Sequence, residues 1–359
     1  MRHVVIKGCL VVIDSDGRLH TFGPDSEPNV RIRLHRRQTT LRIAVNPYLA
    51  IPEAYIEGDL TIESGSLYHF LEFMAQNLAA AGPSRLMRLR ERFGYLSRRL
   101  MQHNRVARAR RHVAHHYDIT GELYELFLDS DRQYSCGYFV DPEKDLETAQ
   151  LRKKHHLAAK LLLESGQKVL DIGSGWGGLA LYLAETGGVD VTGLTLSHEQ
   201  HKISEVRARE RGLAEQVRFH LRDYRQEYSV YDRIVSVGMF EHVGLPYYDA
   251  YFRVVRDRLK PDGIALVHTI GRADGPGVTN PFIRKYIFPG GYIPALSEIV
   301  PPIERAGLLI TDIEVLRLHY AETLSAWRAN FTANWARARD LNDERFCRMW
   351  EYYMAASEV

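Results

Sequence analysis

A glycine-rich turn between a buried strand and a helix constrains this chain more than any other stretch. Lys168–Ile172 (KVLDI) reads as a short buried strand, Gly173-Ser174-Gly175-Trp176-Gly177-Gly178 as a turn, and residues 179–184 as the opening of a helix. Glycines at such a junction let a ligand lie against bare backbone. Turns of this kind also bind dinucleotides, and some bind nothing. Here the spacing is G-x-G-x-G rather than G-x-G-x-x-G. A long segment precedes it, whereas dinucleotide folds commonly begin with theirs.

Beyond the turn, apolar runs and amphipathic stretches alternate. Strands are predicted at 189–195, 217–221, 233–237, 264–269 and 309–316, and helices at 197–211, 247–259 and 297–306. This order predicts an α/β doubly wound, mostly parallel sheet, with ligands beyond the carboxyl ends of its strands. A helix over 331–351 leaves no residues for a final antiparallel strand, so either the sheet lacks that strand or this sequence is a trimmed version of a longer chain. Before the turn, strand patterns at 4–13, 18–22, 30–34 and 41–45 and a helical pattern at 67–78 describe a small α+β domain. The expected division is 1–82 as an accessory, lipid-associated domain, 83–112 as a basic helical linker, and 113–359 as the catalytic domain.

Composition narrows the setting. The 359 residues suffice for two domains, and the net charge of +2 hides an uneven distribution. Within 83–112, ten arginines face one acid, Glu91, with leucine, methionine and aromatic residues interleaved. A basic amphipathic helix of this kind suits an anionic membrane surface. A solvated strut between domains is the alternative. No recognition module accompanies the charge, so no nucleic-acid partner is expected. Three widely spaced cysteines (Cys9, Cys136, Cys347) argue against a disulfide framework and against a zinc site. No apolar run reaches membrane-spanning length. Lys7 and Asp14 interrupt the N-terminal apolar stretch, which excludes a signal peptide and makes a cytoplasmic location the expectation.

Asp171-x-Gly173-x-Gly175-x-Gly177 resembles motif I of the class I S-adenosylmethionine-dependent methyltransferases. Further segments sharpen the resemblance: His116-Tyr117-Asp118, Tyr134-Ser135-Cys136, Gly193-Leu194-Thr195-Leu196-Ser197, Gly238-Met239-Phe240-Glu241-His242-Val243-Gly244 and Tyr286-Ile287-Phe288-Pro289-Gly290-Gly291. Together they resemble the cyclopropane-fatty-acyl-phospholipid synthases and the mycolic acid cyclopropane synthases. The likeness runs from residue 113 to about 340 and is looser before that. It implies methylene transfer from S-adenosylmethionine to a cis double bond of phospholipid acyl chains, at a peripheral membrane surface. Methyl addition without ring closure is an alternative, as is a non-catalytic lipid-binding protein on the same fold. Assembly as a homodimer is left open.

Cofactor candidates follow. Backbone at Gly173, Gly175 and Gly177, with Trp176 in the same turn, suits an amino-acid group, and the helix N-terminus favours a carboxylate. Asp171 is either a ligand or a turn-former. By resemblance, Tyr134 and Ser135 close over the methionine part, and Thr195 and Gln200 replace the usual ribose acid. Ser197-x-x-Gln200 also reads as a capping box. Asp223 and Tyr224 follow the third strand, where adenine is expected; a plain loop carboxylate is the alternative.

The second site must handle an alkene, which carries no proton to remove beforehand. Methyl transfer to it needs alignment and shielding and leaves a carbocation, which aromatic faces stabilise. Ring closure then needs a base. The resemblance implies bound bicarbonate, caged by Cys136, Glu241, His268, Ile270 and Tyr320. Glu241 would accept from its hydroxyl, His268 would donate, and Cys136 would act through its amide; a small buried apolar residue is the other reading of Cys136. His242 and His319 read as structural neighbours. Residues 286–294 read as a loop that walls an acyl-chain pocket or covers the core.

Overall fold

The computed structural model describes residues 4–24, 27–81, 102, 121–140 and 145–359. The linker at 83–112 and the boundaries expected at 82 and 112 lie outside the described residues, apart from Gln102, as does His116-Tyr117-Asp118. By contacts the chain divides into two units. One holds Met1–Phe93, Asn280–Ile287 and Tyr320–Val359; the other holds Gly94–Thr279 and Phe288–His319.

In the first unit, β1 (Leu10–Ile13) and β2 (Leu19–Phe22) form an antiparallel hairpin. Asp14 shapes its turn, Oδ1 accepting from the amides of Asp16 and Arg18 at 2.9 Å each. β3 (Val30–Leu34) runs parallel to β1, and β4 (Leu60–Ser64) antiparallel to β3, giving the order β2-β1-β3-β4. Along β3, Val30, Ile32 and Leu34 are buried and Arg31 and Arg33 are not, as in a strand with one covered face. Three helices follow on: α1 (Arg37–Val45), α2 (Pro47–Ile56) and α3 (Leu67–Ala81). The strand expected at 41–45 is therefore helical. Leu41 and Val45 stand exposed, so their alternation with polar residues marks no covered sheet face.

The second unit is built on α4 (Leu146–Leu161), β5 (Lys168–Ile172), α5 (Gly178–Gly187), β6 (Asp190–Thr195), α6 (His198–Glu210), β7 (Val217–Leu221), β8 (Tyr231–Val237), α7 (Tyr248–Arg258), β9 (Leu259–His268) and α8 (Leu296–Arg305). The five strands are all parallel, in the order β7-β6-β5-β8-β9. β5 is buried from Val169 to Ile172, with Val169 in one apolar cluster and Leu170 and Ile172 in another. A parallel strand covered on both faces reads as a continuous apolar run, which is why KVLDI is legible. The order reverses at β5, whose neighbours are β6 and β8, so a crevice opens at the carboxyl ends of β5 and β8. The run at 309–316 forms no ladder; Leu309 is 86% and Val315 73% exposed. Among the described residues no antiparallel strand joins this sheet.

The C-terminal segment returns to the first unit. It forms three helices where one was expected: α9 (His319–Ala333), α10 (Trp335–Leu341) and α11 (Glu344–Glu358). α11 packs on α2 and α3. Tyr55 donates to Glu351 Oε2 at 2.6 Å. Buried Glu53 accepts from Lys285 Nζ at 2.7 Å, from the Tyr286 hydroxyl at 3.0 Å and from Arg42. Among the described residues no helix is long and apolar enough to cross a membrane. The Tyr352 ring lies 6.1 Å from Tyr55 and 5.0 Å from Phe282, joining three separate stretches of chain. Tyr352→Ala should therefore lower stability by about 3–5 kcal/mol. Urea unfolding followed by tryptophan fluorescence measures this; a loss below ~1 kcal/mol would mean that the ring is not part of this core.

Candidate active site

The chain leaves β5 at Ile172 and turns immediately. The amides of Gly173 and Ser174 both donate to Leu194 O at 2.9 Å, which pins the turn to the end of β6. Gly175 has φ +55°, and a Cβ there would meet nothing within 4 Å. It faces open space in a cavity and offers bare backbone to a ligand. Gly177 has φ +84°, and a Cβ there would fall 2.7 Å from Phe219 and 2.9 Å from Ser204. Its smallness serves packing of the turn on α6 and β7, and it does not line the cavity.

The other ten residues expected around a cofactor, Tyr134, Ser135, Asp171, Gly173, Gly175, Trp176, Thr195, Gln200, Asp223 and Tyr224, all line that one cavity. Asp171 is 2% exposed, its Oδ2 has no partner among the described residues, and burial pushes its carboxyl up to about 7. Ser174 Oγ is likewise buried without a partner. Ser197 caps α6 through Gln200 N at 3.3 Å, but the reciprocal half of a capping box is absent. Instead the Thr195 hydroxyl donates to Gln200 Oε1 at 2.8 Å and accepts from Ser197 N at 3.2 Å. Thr195 and Gln200 thus form one fixed wall. Both oxygens of Asp223 accept from the Arg225 guanidinium at 2.7 Å. Its carboxylate is already engaged, and only further lone pairs remain for a ligand.

None of the five residues expected to cage an anion lines this cavity. Glu241 is 9% exposed and follows β8. Its Oε1 accepts from Ile270 N at 2.6 Å, and its Oε2 has no partner among the described residues. Burial holds its carboxyl above the ordinary range, against the pull of the Ile270 amide. Ile270 therefore gives its amide to Glu241 rather than keeping it for a ligand. His268 ends β9, with its carbonyl accepting from Gly238 N at 3.0 Å. Its buried Nδ1 has no partner among the described residues. Burial, helped by the charge of Lys153, draws the imidazole down to about 4, so it is neutral at physiological pH. Cys136 is buried, its thiol donating to Gly137 O at 3.3 Å. Tyr320 belongs to the first unit, where its ring meets Trp327 edge-on at 6.2 Å.

Sequence reading misses Arg225 and gives Met239 and His242 no part in the cofactor site. Met239, His242, Arg225, Pro289 and Gly290 also line the cavity. Of the loop expected at 286–294, Pro289 and Gly290 reach it, while Tyr286 closes a π-helical turn (Ile283–Ile287) in the first unit. His319 accepts from Phe139 N at 3.0 Å, which is structural. Among the described residues no cluster of histidine, cysteine and acidic side chains could hold a metal ion.

A family model described as mycolic acid cyclopropane synthetase matches residues 104–359. The chain belongs to this family. It is 45% identical over 241 residues to the cyclopropane-fatty-acyl-phospholipid synthase of Escherichia coli K12, covering 67% of this chain and 62% of that enzyme. It thus spans less than two thirds of that relative's length. It is 33% identical over 364 residues to the tuberculostearic acid methyltransferase UfaA1 of Mycobacterium tuberculosis, covering 98% of this chain and 84% of that one. The crystal structure of mycolic acid cyclopropane synthase CmaA1 complexed with SAH and CTAB matches with a TM-score of 0.66 at 32% identity, over 69% of this chain and 92% of that chain. The parallel-sheet unit has the class I methyltransferase fold.

The two glycines can be separated by stability. Gly177→Ala forces a collision as well as an unfavourable φ and should cost about 2–4 kcal/mol. Gly175→Ala meets open space and should cost about 1 kcal/mol. Denaturant unfolding of both variants measures the difference; equal losses would remove the packing role of Gly177.

Proposed function

We propose that this cyclopropane synthetase family member transfers a methylene group from S-adenosylmethionine to a cis double bond in phospholipid acyl chains, giving a cyclopropane. The observation that carries the reading is one arrangement at the crevice of a methyltransferase sheet. An open glycine cradle with buried, unpartnered Asp171 Oδ2 and Ser174 Oγ lies at the end of β5. Buried, unpartnered Glu241 Oε2 and His268 Nδ1 lie at the ends of β8 and β9. The 45% identity to the Escherichia coli phospholipid synthase supports the substrate class.

The first set of groups fits an amino-acid end that carries both an ammonium and a carboxylate. Asp171 would take the ammonium, the Gly175 backbone would lie along the chain, and Thr195, Gln200 and Asp223 would hold the nucleoside. S-adenosylmethionine supplies an electrophilic methyl on a sulfonium. The second set fits a small anion with a proton of its own, such as bicarbonate. Glu241 Oε2 would accept that proton's hydrogen bond, and a neutral His268 would donate or receive at Nδ1. Cys136 and Tyr320 belong to this proposal through the family pattern. Bicarbonate supplies a weak base. The chain's own contribution is to hold these groups in a dry crevice, where an alkene meets the methyl without competition from water.

The reading extends to the setting. Residues 1–82 act as an accessory domain, and the arginine-rich residues 83–112 meet an anionic membrane surface from the cytoplasm. The acyl chain is drawn out of the bilayer rather than reached by insertion. A homodimer is compatible with this arrangement. A second reading, methyl addition without ring closure, is favoured by the match over 98% of the chain to a tuberculostearic acid methyltransferase.

Product analysis decides between them. The protein is incubated with S-adenosylmethionine and liposomes of a monounsaturated phospholipid, and the acyl chains are examined by NMR. Both products gain one carbon and two hydrogens, so mass alone does not separate them. Cyclopropane proton signals are expected; a methylated alkene as sole product would overturn the first reading. In the same assay Glu241→Gln should lower turnover about 10²–10⁴-fold with cofactor affinity held, the range of a positioned acid–base group.

Asp171 gives a pH signature. Its carboxyl sits near about 7 because nothing compensates its burial. A ligand ammonium favours the ionised form, so binding releases a proton below that value and affinity falls with acidity. Calorimetry with S-adenosylhomocysteine should show weaker binding as pH drops below about 7, and Asp171→Asn should flatten the profile. A profile unchanged by the substitution would remove Asp171 from the ligand.

A further inference from the structure

Lys153 lies on α4, beneath the segment that carries Tyr134, Ser135 and Cys136. The residue is 2% exposed. Its ammonium donates to Ser135 Oγ at 2.7 Å. No carboxylate stands within ion-pairing distance of it among the described residues. The neighbouring Asp131 is taken by Lys154 at 2.6 Å and by Arg207. Asp129 spends its oxygens on the amides of Gln133 at 2.8 Å and Asp131 at 3.1 Å. A buried ammonium with a hydroxyl as its partner is a costly arrangement that packing alone does not require. Burial draws it down to about 8, against the opposing influence of Asp129 and Cys136.

The hydrogen-bond arithmetic gives this arrangement a direction. A lysine ammonium has three donors and no acceptor, and a serine hydroxyl has one proton. Once Lys153 donates to Ser135 Oγ, the serine proton must point away from Lys153. No acceptor for it is found among the described residues, and Ser135 lines the cofactor cavity. The backbone here is also fixed, because Gln150 Nε2 donates to Ser135 O at 2.9 Å and to Gln133 O at 3.2 Å. A hydroxyl that accepts from a cation becomes a stronger donor.

We propose that Lys153 is a positioning residue for carboxylate recognition: it orients and polarises Ser135 so that the hydroxyl donates to a carboxylate-type oxygen bound in the cavity. This rests on the cofactor reading above. Two sources share that chemistry, the amino-acid carboxylate of the cofactor and free bicarbonate.

The test compares S-adenosylhomocysteine with its decarboxylated analogue, which keeps the nucleoside, the sulfur and the amine. Affinities are measured by calorimetry for the full chain, Lys153→Met, Ser135→Ala and the double variant. Lys153→Met should weaken S-adenosylhomocysteine by about 10–100-fold and the analogue by less than about twofold, as expected for a charge-assisted hydrogen bond. The double variant should lose little beyond Ser135→Ala, since the two act as one unit. If S-adenosylhomocysteine affinity holds while the bicarbonate concentration needed for half-maximal turnover rises by a comparable factor, the oxygen served is bicarbonate's. With an unchanged bicarbonate requirement, either equal losses for both nucleosides or no loss in either would overturn the proposal. If Lys153→Met fails to fold, Lys153→Gln is read by the same ratio of affinities. Failure of the parent chain to bind S-adenosylhomocysteine would instead remove the cofactor reading, and this inference with it.

Discussion

β5 and β8 lie side by side in the middle of a parallel sheet, buried on both faces, and the polar groups at their carboxyl ends are shut away from water. That constraint governs the site. Asp171 and Glu241 cannot be solvated where they sit, so burial raises both carboxyls. Glu241 finds one amide, from Ile270, and Asp171 Oδ2 finds no partner among the described residues. Buried polar atoms are ordinarily paired. A cluster of exceptions at a topological switch point marks a place where the fold gives up stability that a ligand can return.

The segment before the sheet shapes the opposite wall. Asp131 binds Lys154, Arg207 and Arg211, and Arg207 also donates to Trp176 O at 2.8 Å. Ion pairs this deep contribute little net stability, because desolvating the charges offsets their attraction. Their value here is positional. They tie residues 129–136 to α4, α6 and the glycine turn together, so that Tyr134 and Ser135 face the cavity from a fixed backbone. Tyr124 packs against both Tyr134, at 5.3 Å, and Trp176, at 4.9 Å, which closes the same wall with aromatic surface.

What was legible in the sequence was what local pattern dictates. The strand KVLDI, the turn after it and the alternation that follows all appear where expected, because buried parallel strands and glycine turns leave short-range signatures. Residues 41–45 and 309–316 alternate in the same way, yet one is helical and the other forms no ladder. Alternation describes a face, and only a neighbouring strand makes it a sheet. Gly177 looks like its two companions in sequence, but its neighbours Phe219 and Ser204 come from elements that arrive later in the chain. Lys153 gave no signal at all: a lysine in an amphipathic helix reads as solvated, and its burial is set by a segment that folds over it from outside α4. The return of α11 to the N-terminal helices α2 and α3 was equally hidden, since partners nearly 300 residues apart, such as Tyr55 and Glu351, share no local pattern.

The protonation states around the crevice give Lys153 a distinct place. His268 is neutral, Asp171 and Glu241 are biased toward their neutral forms, and Lys154 shares the Asp131 carboxylate with Arg207 and Arg211. Lys153 has no carboxylate partner among the described residues, and its field reaches both Cys136 and His268. A crevice with that balance favours an anionic guest and keeps the imidazole available as an acceptor. A positive charge developing close to Lys153 would be opposed by it, and an anion bound nearby would offset that opposition. In a crevice this dry each fixed charge counts for more than it would in water, so what binds there is selected by charge as well as by shape.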